Sequence, residues 1–185
     1  MATCQVCATE LHGRSDAKFC SVTCRVHAHR RSDGPPAELT TRDRWVCHKQ
    51  KVPCVPFGAF ASSTNPETWR DHATAVSAAA AQNIDGIGFV LNGDGIACID
   101  LDDCLHDGVL ADWAREIVDQ CPRTYIEVSP SGRGLHIFGY ATVGKGRRGS
   151  RVEVYDRGRY ICITGRRFEG FPKRLAPIQG LIDAI

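Results

Sequence analysis

Gly88-Phe89-Val90-Leu91-Asn92-Gly93-Asp94-Gly95-Ile96-Ala97-Cys98-Ile99-Asp100-Leu101-Asp102-Asp103 is the stretch on which the fold turns. Two short apolar runs, 88–91 and 96–99, flank Asn-Gly-Asp-Gly, whose residues tolerate the positive φ of a tight reversal. They predict two strands joined as a hairpin. From Ile99 onward apolar and acidic residues alternate. Successive strand side chains point to opposite faces, so Asp100 and Asp102 project together while Ile99 and Leu101 enter the core. Two carboxylates on one strand face repel unless a cation or a proton intervenes, and hard divalent cations prefer such oxygen ligands. Asp103 joins them if the strand ends early. An exposed edge strand with an acidic face is the plain alternative.

Working outward, 45–47 (Trp-Val-Cys) reads as a first strand. Asn65-Pro66-Glu67 starts a helix: Asn caps, Pro suits the first turn and the acid meets the dipole. Ala-rich sequence carries that helix to about residue 81. A second helix fits 109–120, with Leu110, Trp113, Ile117 and Cys121 on one face and Pro122 ending it. Strands follow at 125–128, 135–140, 152–155 and 160–164, then a short terminal helix at 178–185. Strand, helix, hairpin, helix and several strands is the order of an α+β sheet with helices on one face. No Gly-x-x-x-x-Gly-Lys-Ser/Thr loop occurs, which argues against a P-loop ATPase.

At 185 residues, 43% hydrophobic and 24% charged, the chain suits one medium domain plus a small module. The Pro-Pro segment at 33–42 reads as a linker between a module at 1–32 and a domain at 43–185. The net charge of +2 decides nothing, but its distribution is informative. Residues 145–151 hold four basic groups and no acid, and 94–107 hold five aspartates and no Lys or Arg. A basic loop beside an acidic patch suits metals next to a polyanion; solvated surface is the bland alternative. No apolar leader follows the N-terminus, and no run approaches the roughly 18 apolar residues of a membrane span. The expectation is a cytoplasmic protein with reduced thiols and no membrane partner.

Ten cysteines are many for such a chain. Cys4-x2-Cys7 and Cys20-x3-Cys24 form two thiolate pairs, spaced to share one tetrahedral zinc ion that supplies the folding energy so short a segment lacks. Phe19-Cys20-Ser21-x-x-Cys24-Arg25 looks like the helix start of a small treble-clef finger. His27 is an alternative fourth ligand. Five basic residues against two acidic ones in 1–32 suit DNA contact; a purely structural zinc is the other reading. Cys98, Cys121 and Cys162 sit in apolar contexts and read as core.

Two further constellations carry chemistry. Ser129-Pro130-Ser131-Gly132-Arg133-Gly134-Leu135-His136 is a Gly-rich turn between strands, where backbone N–H groups, Ser131 and Arg133 suit phosphate oxygens and His136 opens the next strand. A plain turn with an incidental histidine is the alternative. In Val152-Glu153-Val154-Tyr155-Asp156 a carboxylate interrupts an apolar strand, either to complete a metal site or to face solvent. The next strand brings Arg159, Tyr160 and Thr164-Gly165.

In this order, the aspartate pair, the Ser-Gly turn ending in His136 and the strand acid Glu153 resemble the archaeo-eukaryotic primase superfamily, and within it the primase-polymerases of phages and plasmids. Residues 152–165 and Ser63-Thr64-Asn65-Pro66-x-x-Trp69 look similar too, and the resemblance spans about 45–168. It implies an RRM-like catalytic sheet and two-metal nucleotidyl transfer. Asp100, Asp102 and Glu153 would hold Mg²⁺ or Mn²⁺. Ser131, Arg133 and His136 would bind the triphosphate, and Tyr160 would lie beside the sugar. A single-stranded DNA template, NTPs or dNTPs and a replicative helicase are the implied partners, in the host cytoplasm if the chain is phage-encoded. Such enzymes often carry a further C-terminal helical or helicase segment. The chain ending at Ile185 therefore reads as a fragment, a subunit of a split replisome or a domain that only extends primers. A metal-dependent nuclease and a non-catalytic zinc-finger replication accessory are the rival readings of the same residues.

Overall fold

The computed structural model describes residues 3–4, 9–11, 20–21, 24, 34–56, 58–81 and 84–185. From Ala37 the chain runs through α1 (Ala37–Thr40), β1 (Trp45–Lys49), β2 (Val52–Cys54), a 3-10 turn (Pro66–Thr68), α2 (His72–Ala81), β3 (Gly86–Asn92) and β4 (Ile96–Leu101). It continues through β5 (Leu105–His106), β6 (Val109–Leu110), α3 (Asp112–Gln120), β7 (Tyr125–Val128), β8 (Leu135–Tyr140), β9 (Arg147–Arg148), β10 (Val152–Tyr155), β11 (Arg157–Ile163) and α4 (Gln179–Ala184).

The fold is mixed α+β, but the strands form two main antiparallel sheets among the described residues. One has the order β11-β3-β1-β2 and the other β7-β8-β4-β10-β9, with β5 and β6 a separate pair. Period-two alternation explains how they pack. Ile96, Cys98, Tyr125, Phe138 and Tyr155 of the five-stranded sheet meet Trp45, Phe89, Leu91, Ile161 and Ile163 of the four-stranded sheet in one core, completed by Ala75 and Ala78 of α2. Their neighbours in sequence, Ile99, Leu101, Ile126, Ile137 and Val154, face the other way, onto Ala114 and Val118 of α3 and Leu181 and Ile182 of α4. Each such Ile, Leu or Phe taken fully out of water contributes about 1.5–3 kcal/mol. Helices α3 and α4 thus lie on one face of the five-stranded sheet, as expected, while α2 contributes to the core between the sheets.

The expected hairpin at 92–95 does not form. β3 and β4 belong to different sheets, and Asn92-Gly93-Asp94-Gly95 carries the chain across the gap between them. Turn chemistry holds, with φ of 87° at Gly93 and 93° at Gly95. The partners differ: β3 pairs with β1 and β11, and β4 with β8 and β10. Asp94 is gripped by Arg42 and by Arg44 at 3.0 Å. The Gly93 N–H donates to the Asp156 carbonyl at 2.7 Å. Asp156 is the point at which the chain crosses back, from β10 to β11. Its buried carboxylate accepts the Val143 N–H at 2.9 Å and an Arg157 Nε–H at 3.0 Å. The two crossings are therefore stitched together.

Three smaller differences follow from tertiary contacts. Asn65 does cap its turn, accepting the Glu67 N–H at 3.2 Å, but the helix expected over 65–81 is split. The backbone of Arg70 bonds to that of Trp45, and α2 restarts behind Asp71, which accepts the Thr74 N–H at 2.8 Å. Residues 109–110 pair with β5, so the second helix begins only at Asp112. The segment read as a linker holds α1, anchored by a fully buried Leu39 and by Glu38, which accepts the Leu175 N–H at 3.0 Å.

Candidate active site

Strand register draws the chemistry-bearing residues into one line. Glu127 on β7 stands opposite His136 on β8. His136 stands opposite Asp100 on β4, Asp100 opposite Glu153 on β10, and Glu153 opposite Arg148 on β9. Residues two apart on a strand share a face, so this line continues the face of Tyr125, Phe138, Cys98 and Tyr155. It begins where the apolar core between the sheets ends.

A cavity of about 270 Å³ opens there. Of the expected residues, Asp100, Asp102, Ser131, His136 and Tyr160 line it; Glu153 and Arg133 do not. Lys51 and Arg159 line it as well. Burial, with Asp102 and Glu153 close by, raises the pKa of Asp100 despite the opposing pull of His136 and Lys51. Such a carboxylate gains from a nearby cation. His136 is buried, which disfavours its charge. The hydrogen bond to Glu127 and the charges of Glu127, Asp100 and Asp102 outweigh burial and raise its pKa. Its Nε2 lies 3.7 Å from Asp100 Oδ1, and its Nδ1 lies 3.2 Å from Glu127 Oε1.

Glu153 has both oxygens engaged, one by Arg148 Nε–H at 2.8 Å and the other by the Tyr155 hydroxyl at 2.8 Å. Arg133 is exposed and pairs with Asp103, its Nε–H donating at 2.8 Å. Ser131 shares a hydroxyl hydrogen bond with Ser129 at 3.0 Å and accepts the Arg133 N–H at 3.2 Å. The cations of 145–151 are largely occupied within the chain. Arg147 donates to the carbonyls of Ile185, at 2.9 Å, and of Ile182; Arg148 holds Glu153; Arg151 stacks over Trp113.

The opposite wall comes from the four-stranded sheet. Tyr160 lies across β3 at Gly88, where an added Cβ would stand 2.5 Å from the ring. Its hydroxyl donates to the Lys51 carbonyl at 2.5 Å. Lys51 sits in the two-residue turn between β1 and β2, with φ of 50° at Gln50 and 61° at Lys51. Such turns favour Asn-Gly, because side chains disfavour left-handed backbone. Here Tyr160 and Asp85, which accepts the Gln50 N–H at 2.6 Å, hold the conformation that brings Lys51 to the cavity. Arg159 lies over the Tyr155 ring and donates to its hydroxyl at 3.0 Å.

Away from the cavity, Cys4, Cys20 and Cys24 bring their sulfurs within 4.8 Å of one another, the Cys20 and Cys24 sulfurs 3.5 Å apart. Sulfurs sharing a tetrahedral zinc at 2.3 Å stand about 3.8 Å apart, so the trio fits a zinc-like structural metal. The Ser21 hydroxyl accepts the Cys24 N–H at 3.1 Å. Cys7 and His27 lie outside the described residues. Among the described residues, no helix is long and apolar enough to cross a membrane.

The chain is similar to a phage DNA primase-polymerase. It is 37% identical over 147 residues, 71% of its length, to the protein named DNA Primase-polymerase from Nitratiruptor phage NrS-1. The chain spans 20% of that relative's length. No protein-family model matches the chain.

Sequence reasoning missed Glu127 and Lys51 and gave Arg159 no role. Glu127 carried a usable signal, an acid amid the apolar Tyr125-Ile126-Glu127-Val128, of the same kind that singled out Glu153. Lys51 carried none, since only tertiary packing brings the turn to the cavity.

Proposed function

We propose that this chain is the nucleotidyl-transferring unit of a DNA primase-polymerase, joining NTPs or dNTPs to a 3′-hydroxyl opposite a single-stranded DNA template. The observation that carries this reading is the pair Asp100 and His136, in register between Glu127 and Glu153, lining a cavity whose far wall holds Lys51 and Arg159. Acid on one side and base on the other is the charge pattern a metal-bound triphosphate requires. The similarity to a phage primase-polymerase supports the same chemistry.

The donor set fits a hard divalent cation: Asp100 and Asp102 share the cavity, Asp100 is held protonated to a higher pH by burial and its acidic neighbours, and Glu153 stands directly opposite. Asp100, Asp102 and Glu153 are the residues that would hold Mg²⁺ or Mn²⁺, ions that supply Lewis acidity toward the triphosphate and the 3′-hydroxyl. The chain's own side chains do the rest. Lys51, Arg159 and His136 Nε2 offset phosphate charge, and the Ser131 hydroxyl donates to the same oxygens. Tyr160, lying over Gly88, forms a flat wall suited to the sugar. Arg133 would reach a phosphate by leaving Asp103, and Glu153 would reach a metal by leaving Arg148.

Within this reading the five-stranded sheet with α3 and α4 is the RRM-like catalytic sheet of a domain at 43–185. Residues 1–32 are a treble-clef-like zinc module, with Cys7 or His27 completing the trio Cys4, Cys20 and Cys24. A replicative helicase is the natural partner of such a unit. The test supplies single-stranded template with labelled NTPs or dNTPs, with and without primer, under Mg²⁺ and under Mn²⁺. Elongated product supports the reading, and strand scission without incorporation would replace it with a nuclease.

A further inference from the structure

Glu127 is the most completely enclosed acid beside the cavity, at 0% exposure. Its Oε1 accepts from His136 Nδ1 at 3.2 Å and from the Thr164 N–H at 3.1 Å. Its Oε2 accepts from the Tyr125 hydroxyl at 2.8 Å and from the Gly165 N–H at 2.9 Å. Two of these donors are backbone groups of the turn that follows β11, so the carboxylate is held from both sheets. A buried carboxylate can only accept; Nδ1 must therefore carry the proton in this hydrogen bond, which leaves Nε2 as the nitrogen directed at the cavity. The phenol and the two backbone N–H groups would satisfy a purely structural acid. The fourth partner is the one that belongs to the cavity wall.

We infer that Glu127 is a positioning residue for nucleotide binding: it fixes the tautomer and orientation of His136 so that Nε2 meets the phosphate groups of an incoming nucleoside triphosphate. The inference rests on the nucleotide-binding reading above. Carboxylate-to-imidazole pairing is the general device by which a buried acid sets which histidine nitrogen is presented to a ligand. It also gives a physical role to Thr164-Gly165, whose N–H groups aim the acid.

The test uses the full chain. Imidazole ¹⁵N NMR of the wild-type protein should show His136 protonated at Nδ1; a neutral ring protonated only at Nε2 would overturn the inference without any variant. Calorimetry with dATP and Mg²⁺, without DNA, should show Glu127→Gln weakening affinity about tenfold, the loss expected for a hydrogen bond to a charged group. His136→Ala should weaken it similarly. In the His136→Ala background, Glu127→Gln should cost nothing further. Should Glu127→Gln fail to fold, Glu127→Asp takes its place in the same cycle. Wild-type affinity in the Glu127 variant, or an equal loss in both backgrounds, would overturn the inference alone. Absence of dATP binding by the wild-type chain would overturn the nucleotide reading, and this inference with it.

Discussion

One wall of the cavity is the end of the five-stranded sheet, where Asp100 and His136 stand in register on neighbouring strands and Asp102 follows in the turn after β4. The other is the Gln50-Lys51 turn together with β11, which contributes Arg159 and Tyr160. The first wall is rigid by construction. Asp100 and His136 alternate with Ile99, Leu101, Leu135 and Ile137, all fully buried, so neither can move without disturbing the core. The second wall is assembled by contacts between elements far apart in sequence. Tyr160 spans β3 through the gap left by Gly88 and ties down the Lys51 carbonyl. The acidic wall thus depends on strand alternation, while the basic wall depends on how the two sheets are set against each other.

Breaking the acidic wall should have the largest effect. Asp102→Ala should lower the nucleotide incorporation rate about 100- to 1000-fold, the range seen when a charge-stabilising group is removed from a reacting centre. Thermal unfolding should stay near wild type, because removing one acid relieves repulsion with Asp100. Lys51→Gly should separate affinity from stability. The left-handed backbone at Lys51 suits glycine, so the melting temperature should not fall, while the apparent KM for nucleotide should rise about tenfold with the lost cation. Gly88→Ala should act through packing. A Cβ there meets the Tyr160 ring at 2.5 Å and the Ile161 carbonyl at 3.1 Å, so urea unfolding should show a loss of about 1–3 kcal/mol and a few-fold fall in incorporation. The smallest effect belongs to Arg148→Ala. Its guanidinium is exposed, and exposed pairs contribute little, so the melting temperature should not change measurably and incorporation should stay within about twofold.

Much of the acidic wall was legible in the sequence because a strand's period is short: Asp100 lies between buried Ile99 and Leu101 as alternation requires, although β4 ends at Leu101 and leaves Asp102 in the turn, and strands at 125–128, 135–140 and 152–155 appear where alternation put them. The ordered motifs singled out Asp100, Asp102, Ser131, His136 and Tyr160, which line one cavity. What escaped was the part decided by distant partners. Asn-Gly-Asp-Gly specifies a reversal but not which sheet receives the chain; Arg42, Arg44 and Asp156 decide that. Pro-Pro and polar residues at 33–42 read as a linker because the burial of Leu39 is a tertiary fact. Asp71, rather than Asn65, starts α2, because the Trp45 backbone claims Arg70. The acid at Glu127 was visible in its apolar strand, but its donors come from the distant turn at Thr164 and Gly165.

The central claim is that the aspartate pair of the acidic wall serves nucleotidyl transfer. Primer extension on single-stranded DNA with labelled dNTPs and Mg²⁺ or Mn²⁺, comparing wild type with Asp100→Ala, tests it most directly. The account predicts template-dependent elongation by the wild-type chain and none above background by Asp100→Ala at wild-type folding, checked by circular dichroism. Elongation by Asp100→Ala at the wild-type rate would contradict it.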